Sequence, residues 1–162
     1  MGGAEVSRYA ADTKVSAASS RMEIERLIER YGASAFAYGW QESRAVISFE
    51  MEGRRIRFSL PMPDRNDRAF THHSKGARTA EAAAKLWEQA TRQRWRALAL
   101  LVKAKLEAVE SGITVFDEEF LAHIVLPNGR TVGDETVGQI AISYREGSMP
   151  PLLTDGRTGE GR

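Results

Sequence analysis

Between Phe36 and Leu60 the chain alternates side-chain character with period two, three times over. Phe36, Tyr38 and Trp40 alternate with Ala37 and Gly39. Ile47, Phe49 and Met51 alternate with Val46, Ser48 and Glu50, and Ile56, Phe58 and Leu60 with Arg55, Arg57 and Ser59. Successive strand side chains point to opposite faces, so each run reads as a strand with one buried face. The links are short, Gln41 to Ser43 and then Glu52-Gly53. Short links join antiparallel neighbours, and a two-residue link ending in glycine suits a hairpin turn. Pro61 and Pro63 stop the third run. The pattern predicts a three-stranded antiparallel meander whose apolar face needs a cover.

The period changes to that of a helix between Thr79 and Gly112. This stretch has no proline and no internal glycine, and good helix formers dominate it. Thr79 suits the N-cap and Gly112 the left-handed end. Wound at about 100° per residue, Trp87, Thr91, Trp95, Leu98, Val102, Leu106 and Val109 form an apolar stripe. Ala90, Ala97, Leu101, Ala104 and Ala108 widen it, and Lys85, Arg92, Arg96 and Lys103 lie opposite. The arc is broader than one sheet needs. It is expected to cover the meander and to touch either the C-terminal segment or another subunit, so a homo-oligomer is expected.

The flanking segments are shorter. Ser20 and Glu23 form a capping box for a first helix with Ile24, Leu27, Ile28 and Tyr31 inward and Gly32 at its end. Glu23, Glu25, Arg26, Glu29 and Arg30 read as its solvated face. Residues 61–78 read as a polar loop. Beyond Gly112, Thr114 suits the cap of a short helix with Phe116, Phe120, Leu121 and Ile124 inward. The run His123–Leu126 also suits a strand, returning through Pro127-Asn128-Gly129 to Arg130-Thr131-Val132. Gly133 and Asp134 open a last helix with Val137, Ile140, Ala141 and Tyr144 inward and Gly147 at its close. Met149 to Leu153 are expected to strap back onto the core. Composition assigns 1–18 to a flexible arm and 154–162 to a flexible tail, with one α+β domain over 19–153 between them.

The chain of 162 residues has no cysteine, which removes disulfides and thiolate metal sites. Its apolar runs fall far short of the ~20 residues of a membrane span, and its start lacks the apolar region of a signal peptide. A cytoplasmic protein with no membrane contact is expected. Net charge is +1, but it is unevenly spread. Residues 65–105 hold ten bases and three acids; residues 106–135 hold seven acids and one base, Arg130. The two segments either pair with each other or leave a basic surface for a polyanion.

Catalytic constellations are missing. The glycines are single and sit at element ends, and no nucleophile elbow occurs. Adjacent His72 and His73 do not direct both imidazoles at one ion, and no acid follows at a useful spacing. Glu118 and Glu119 are neighbours on a helix start and point apart. The expectation is therefore not an enzyme, with no cofactor and no metal.

The basic positions suggest another role. Arg55 and Arg57 share the outer face of the third strand, with Arg44 near the start of the second and Arg54 beside the turn. Lys85, Arg92, Arg96 and Lys103 form a second row. Together they are expected to border one groove for phosphates, with Tyr38, Trp40 and Trp87 available to stack bases. Against this, periodic aromatics usually belong to the core and basic rows are often only solvated.

The order β-β-β-α over Phe36–Gln41, Arg44–Met51, Arg54–Leu60 and Thr79–Glu110 resembles the core of the Rad52-type single-strand annealing proteins, including phage versions. That resemblance implies rings that hold single-stranded DNA by its backbone, and it leaves the segment from Ile113 unaccounted for. The runs Arg94–Leu98, Lys103–Val109 and Phe120–Pro127 also look like short proteins of phage or mobile-element type. The function expected is non-enzymatic binding of nucleic acid, single-stranded DNA foremost. The alternative is a protein-interaction module, an adaptor or inhibitor acting through the long helix.

Overall fold

The computed structural model describes residues 18–41 and 43–153. The expected arm and tail fall almost wholly outside these residues. Helix α1 is already running at residue 18 and continues to 30. Ser20 is therefore inside it and does not cap it. Strands β1 (Ala35–Gln41), β2 (Arg44–Met51) and β3 (Arg54–Pro61) form the antiparallel meander in the order β1-β2-β3. The β2–β3 link is tight: Met51 pairs with Arg54, and Glu52 and Gly53 sit at φ 50° and 70°. Two consecutive positive φ values define the turn whose twist matches paired strands.

Helix α3 (Ala80–Glu110) covers the meander. The Thr79 hydroxyl accepts from the Ala82 amide at its start, and Gly112 follows its end at φ 72°. Its 31 residues run about 46 Å. Thr91, Trp95, Leu98, Ala99, Val102 and Leu106 are buried along the expected stripe. They meet Ala45, Ile47, Phe49 and Met51 of β2 and Ile56 and Phe58 of β3. Ile24, Leu27 and Ile28 of α1 enter the same core. The molecule is thus a sheet with two helices on its inner face. Of the added width of the α3 arc, Ala90 and Ala108 are half-buried, but Ala97, Leu101 and Ala104 are exposed, and the adjoining Leu100 is 62% exposed.

Several expectations need correction. Trp40 was assigned to the buried face but is 60% exposed, because it ends an edge strand with no neighbour beyond it. The polar loop at 61–78 has structure of its own. Asp67 caps α2 (Arg68–Thr71) by accepting from Ala69, and β4 (His72–His73) pairs with β5 (Gly76–Ala77). Val115, not Thr114, precedes α4 (Phe116–Glu119). After it, a 3₁₀ turn spans Leu121–His123. The expected return is present as a minimal hairpin: across the turn at Pro127-Asn128-Gly129, Val125 bridges Thr131, the Val132 amide donates to the Ile124 carbonyl and the Leu126 amide to the Arg130 carbonyl, while Ile124 also bridges Ile56. The Val125 amide donates to the Arg55 carbonyl at 2.8 Å, so this segment lies along the far edge of β3.

Phe120 anchors the C-terminal part. It is fully buried, stacked on Phe116 and edge-on to Phe49 and Phe58. Thr131 and Asp134 form a capping box that opens α5 (Val132–Glu146), and Gly147 closes it at φ 63°. The face of α5 differs from expectation: Val137 is 66% exposed and Tyr144 89%, and Ile140 and Ala141 are exposed too. Its half-buried side is Val132, Gly133, Glu135, Thr136, Gln139, Ile142 and Ser143. A Cβ on Gly133 would lie 2.9 Å from the Ala122 carbonyl oxygen, so this contact requires glycine. Met149, Leu152 and Leu153 are exposed and do not strap onto the core.

Candidate functional site

The two expected basic rows do not border one groove. Arg55 and Arg57 alternate with buried Ile56 and Phe58 and so lie on the outer face of the sheet. α3 lies on the inner face, with Arg92, Arg96 and Lys103 turned to solvent. The sheet and its core separate the rows.

The outer row is occupied by partners from within the chain. Arg54 reaches Asp117 at 3.1 Å, Arg55 reaches Glu50 at 3.0 Å and Arg57 reaches Asp134 at 3.5 Å. Arg44 donates to the Ser59 hydroxyl at 2.6 Å and to its carbonyl at 3.2 Å. Each exposed ion pair contributes only about 0–1 kcal/mol. Their effect on the surface field is larger than on stability, because each cation has an acid beside it. The acidic segment 106–135 supplies two of those acids. Asp134 also accepts from the Thr131 amide in the capping box. The hydrogen bonds with Thr131, and then Arg57 and Arg130, hold its carboxyl below the usual range.

The inner-side row has a different setting. Arg92, Arg96 and Lys103 line a groove of about 1110 Å³ between α1 and α3, while Lys85 lies outside it. Lys85 pairs with Glu81 one turn away at 3.1 Å, and Lys103 lies 3.7 Å from Glu107. Arg92 and Arg96 make no ion pair or hydrogen bond with a described residue. Across the groove stand Arg26 and Arg30 of α1. Sequence reading placed these two on a merely solvated face. Their four-residue spacing matches that of Arg92 and Arg96, and residues four apart share a helix face. The signal was the match between two Arg-x-x-x-Arg pairs; the helix crossing that makes them face each other needs tertiary structure. Among the described residues, Glu23 is the one acid lining the groove, against five bases. Met22, Leu27, Ala99 and Leu100 supply apolar surface between the charges.

The aromatic candidates do not line this groove. Tyr38 packs on the core, 5.8 Å from Trp95, under the Arg21 guanidinium at 4.0 Å. Trp87 donates its indole N–H to the Pro63 carbonyl at 2.8 Å, with Arg65 over its ring. Both are held by the fold. Trp40 is exposed, on the free edge of the sheet.

A second polar cluster lies under the C-terminal segment. Lys105 donates to the Glu119 carboxylate at 2.8 Å and to its carbonyl at 2.9 Å. His123 stacks on Phe58 with ring centres 4.1 Å apart. Burial, then the nearby Lys105 charge, pushes the His123 imidazole below its ordinary value, partly offset by a hydrogen bond with the Arg57 backbone. No group of three or more metal-ligating side chains occurs among the described residues. No described helix is long and apolar enough to cross a membrane.

No family model, curated protein or solved structure matches this chain.

Proposed function

We propose that this protein binds single-stranded nucleic acid, DNA foremost, through the groove between α1 and α3. One observation carries the reading. Two facing Arg-x-x-x-Arg pairs, Arg26 with Arg30 and Arg92 with Arg96, line one groove with Lys103 and only one acid. Phosphates need several cations along one track, and each contact releases counterions. Arginine offers a planar fork of donors for phosphate oxygens. The apolar surface of Met22 and Leu100 gives unstacked bases a place to lie, in the absence of lining aromatics. The outer sheet row is not assigned to binding, because Arg54, Arg55 and Arg57 each have an acid beside them and Arg44 is tied to Ser59. Strand annealing belongs to the same proposal and follows from the resemblance in element order; a phage setting follows from that resemblance and the runs Arg94–Leu98, Lys103–Val109 and Phe120–Pro127, and a cytoplasmic location from the short apolar runs and the polar start of the chain.

The test is binding of a labelled oligothymidine by the full chain. Arg92→Ala/Arg96→Ala is expected to weaken it and Arg55→Ala/Arg57→Ala to leave it nearly unchanged. Equal effects from the two pairs would overturn the assignment.

The interaction-module reading draws on a separate observation, the uncovered apolar positions Val137, Ile140 and Tyr144 of α5. A contiguous exposed apolar face marks protein contact more often than nucleic-acid contact. Recovery of one stoichiometric protein partner after nuclease treatment, lost in Val137→Asp/Tyr144→Asp, would favour it.

A further inference from the structure

β1 is the free edge of the main sheet. Its seven residues, Ala-Phe-Ala-Tyr-Gly-Trp-Gln, include no charge and no proline. Among the described residues, none hydrogen-bonds to its outer edge. Open edges present unpaired N–H and C=O groups, and folded proteins commonly protect them with lysine, proline, a bulge or a covering segment. β3 has a cover in Ile124 and Val125. Among the described residues β1 has none of these devices, and Trp40 is 60% exposed on it.

We propose that β1 pairs antiparallel with β1 of a second copy of this chain, with Tyr38 opposite Tyr38 on a two-fold axis. The strand is self-complementary about that residue. Centred there, Phe36 meets Trp40, Ala37 meets Gly39 and Ala35 meets Gln41. Aromatics then adjoin aromatics on the inner face, and small residues adjoin small ones on the outer face. Cross-strand neighbours of this kind stabilise a sheet. A slip by one residue sets the aromatic face of one copy against the small face of the other. Each Trp40, edge-on to its own Tyr38 at 6.1 Å, gains Phe36 of the second copy as a further aromatic neighbour. The absence of charge matters as well, since two-fold pairing of a charged strand brings like charges together. Tyr38 is already fixed by Arg21 and Trp95, so the central residue is ordered before pairing. An unrelated peptide strand would satisfy the same backbone groups, but it has no reason to match this symmetry. Strand pairing with three aromatic contacts, Phe36 with Trp40 twice and Tyr38 with Tyr38, is at the small end of specific interfaces. A dissociation constant on the order of micromolar is expected. The proposal is independent of nucleic-acid binding, and the two are read by separate assays.

The test is size-exclusion chromatography with light scattering on the full chain and on Ala37→Lys and Ala37→Glu. Ala37 is exposed on the outer face, so the strand tolerates either side chain. In the paired sheet the two copies of residue 37 are diagonal neighbours, within reach of long side chains. The wild-type chain is expected at twice its 18.0 kDa mass. Each variant alone is expected at 18.0 kDa, and an equimolar mixture of the two is expected to recover the dimer. A wild-type protein that stays monomeric at about a hundred times a micromolar constant overturns the proposal. So does a dimer that persists in both variants, or a mixture that fails to recover. If the variants lose native tryptophan emission, cross-linking reads the same contact, because the chain has no cysteine of its own. A short bis-maleimide is expected to join Ala37→Cys chains and not Ile140→Cys chains; the reverse overturns the proposal.

Discussion

Removing Arg92 and Arg96 together tests the groove most directly, because salt dependence counts phosphate contacts. The groove holds five cations, Arg26, Arg30, Arg92, Arg96 and Lys103. Each phosphate neutralised on a single strand contributes about 0.7 to the slope of log affinity against log salt, so five contacts give about −3.5. A fourfold rise in salt then weakens wild-type binding about 130-fold. With Arg92→Ala/Arg96→Ala three contacts remain, the slope falls to about −2.1, and the same rise costs roughly 20-fold. Both side chains are exposed and make no ion pair or hydrogen bond with a described residue, so the fold should tolerate their loss. The assay is fluorescence anisotropy of a labelled oligothymidine across a salt series, with circular dichroism as the folding control. A slope unchanged by the double substitution, or an equal change from Arg55→Ala/Arg57→Ala, refutes the reasoning.

Other perturbations probe the scaffold. Phe120→Ala removes a fully buried ring touching Phe49, Phe58 and Phe116 and should cost about 3–5 kcal/mol in urea unfolding. A loss below about 1 kcal/mol would mean the C-terminal segment is not docked as described. Gly53→Ala, at φ 70°, should cost about 1–2 kcal/mol by forcing a side chain into the left-handed region. His123 has a folded-state pKa below its unfolded value of 6.5. The folded state therefore binds fewer protons, and stability rises with pH. The His123 contribution is full above pH 6.5 and is lost as pH falls through the folded pKa. His123→Phe should keep the stack on Phe58 and remove that slope from denaturation measured between neutral and mildly acidic pH.

The parts legible in the sequence are those in which one element carries its own signature. Period two marked β2 and β3, and Glu52-Gly53 marked their turn. Thr79, Gly112 and the stripe through Trp95 and Val102 marked α3. What failed depended on distant neighbours. The acids that neutralise Arg54 and Arg57 lie 63 and 77 residues away in the chain. Charge counts showed that the acidic segment needed partners, but not that it would divide between the sheet row, through Asp117 and Asp134, and the end of α3, through Glu107 and Glu119, leaving Arg92 and Arg96 aside. α5 failed for a different reason. Its docking side uses Gly133, Thr136, Gln139 and Ser143, and a close backbone approach to Ala122. Such a contact has no apolar period, so the apolar positions pointed to the wrong face. The groove was half visible, since Arg92 and Arg96 stood out while Arg26 and Arg30 did not.

The short segment Ile124–Val125 along β3 sets an upper limit on assembly. A sheet with two open edges can add chains indefinitely, because every addition exposes a fresh edge like the one it consumed. Here the bridge to Ile56 and the bond to the Arg55 carbonyl occupy one side. A two-fold contact through β1 uses the same patch on both chains and leaves no vacant site behind it. Under the pairing proposed above, growth through β1 terminates at a pair. Deleting that small clasp would turn a self-limiting association into an open-ended one, and the first visible sign would be fibres.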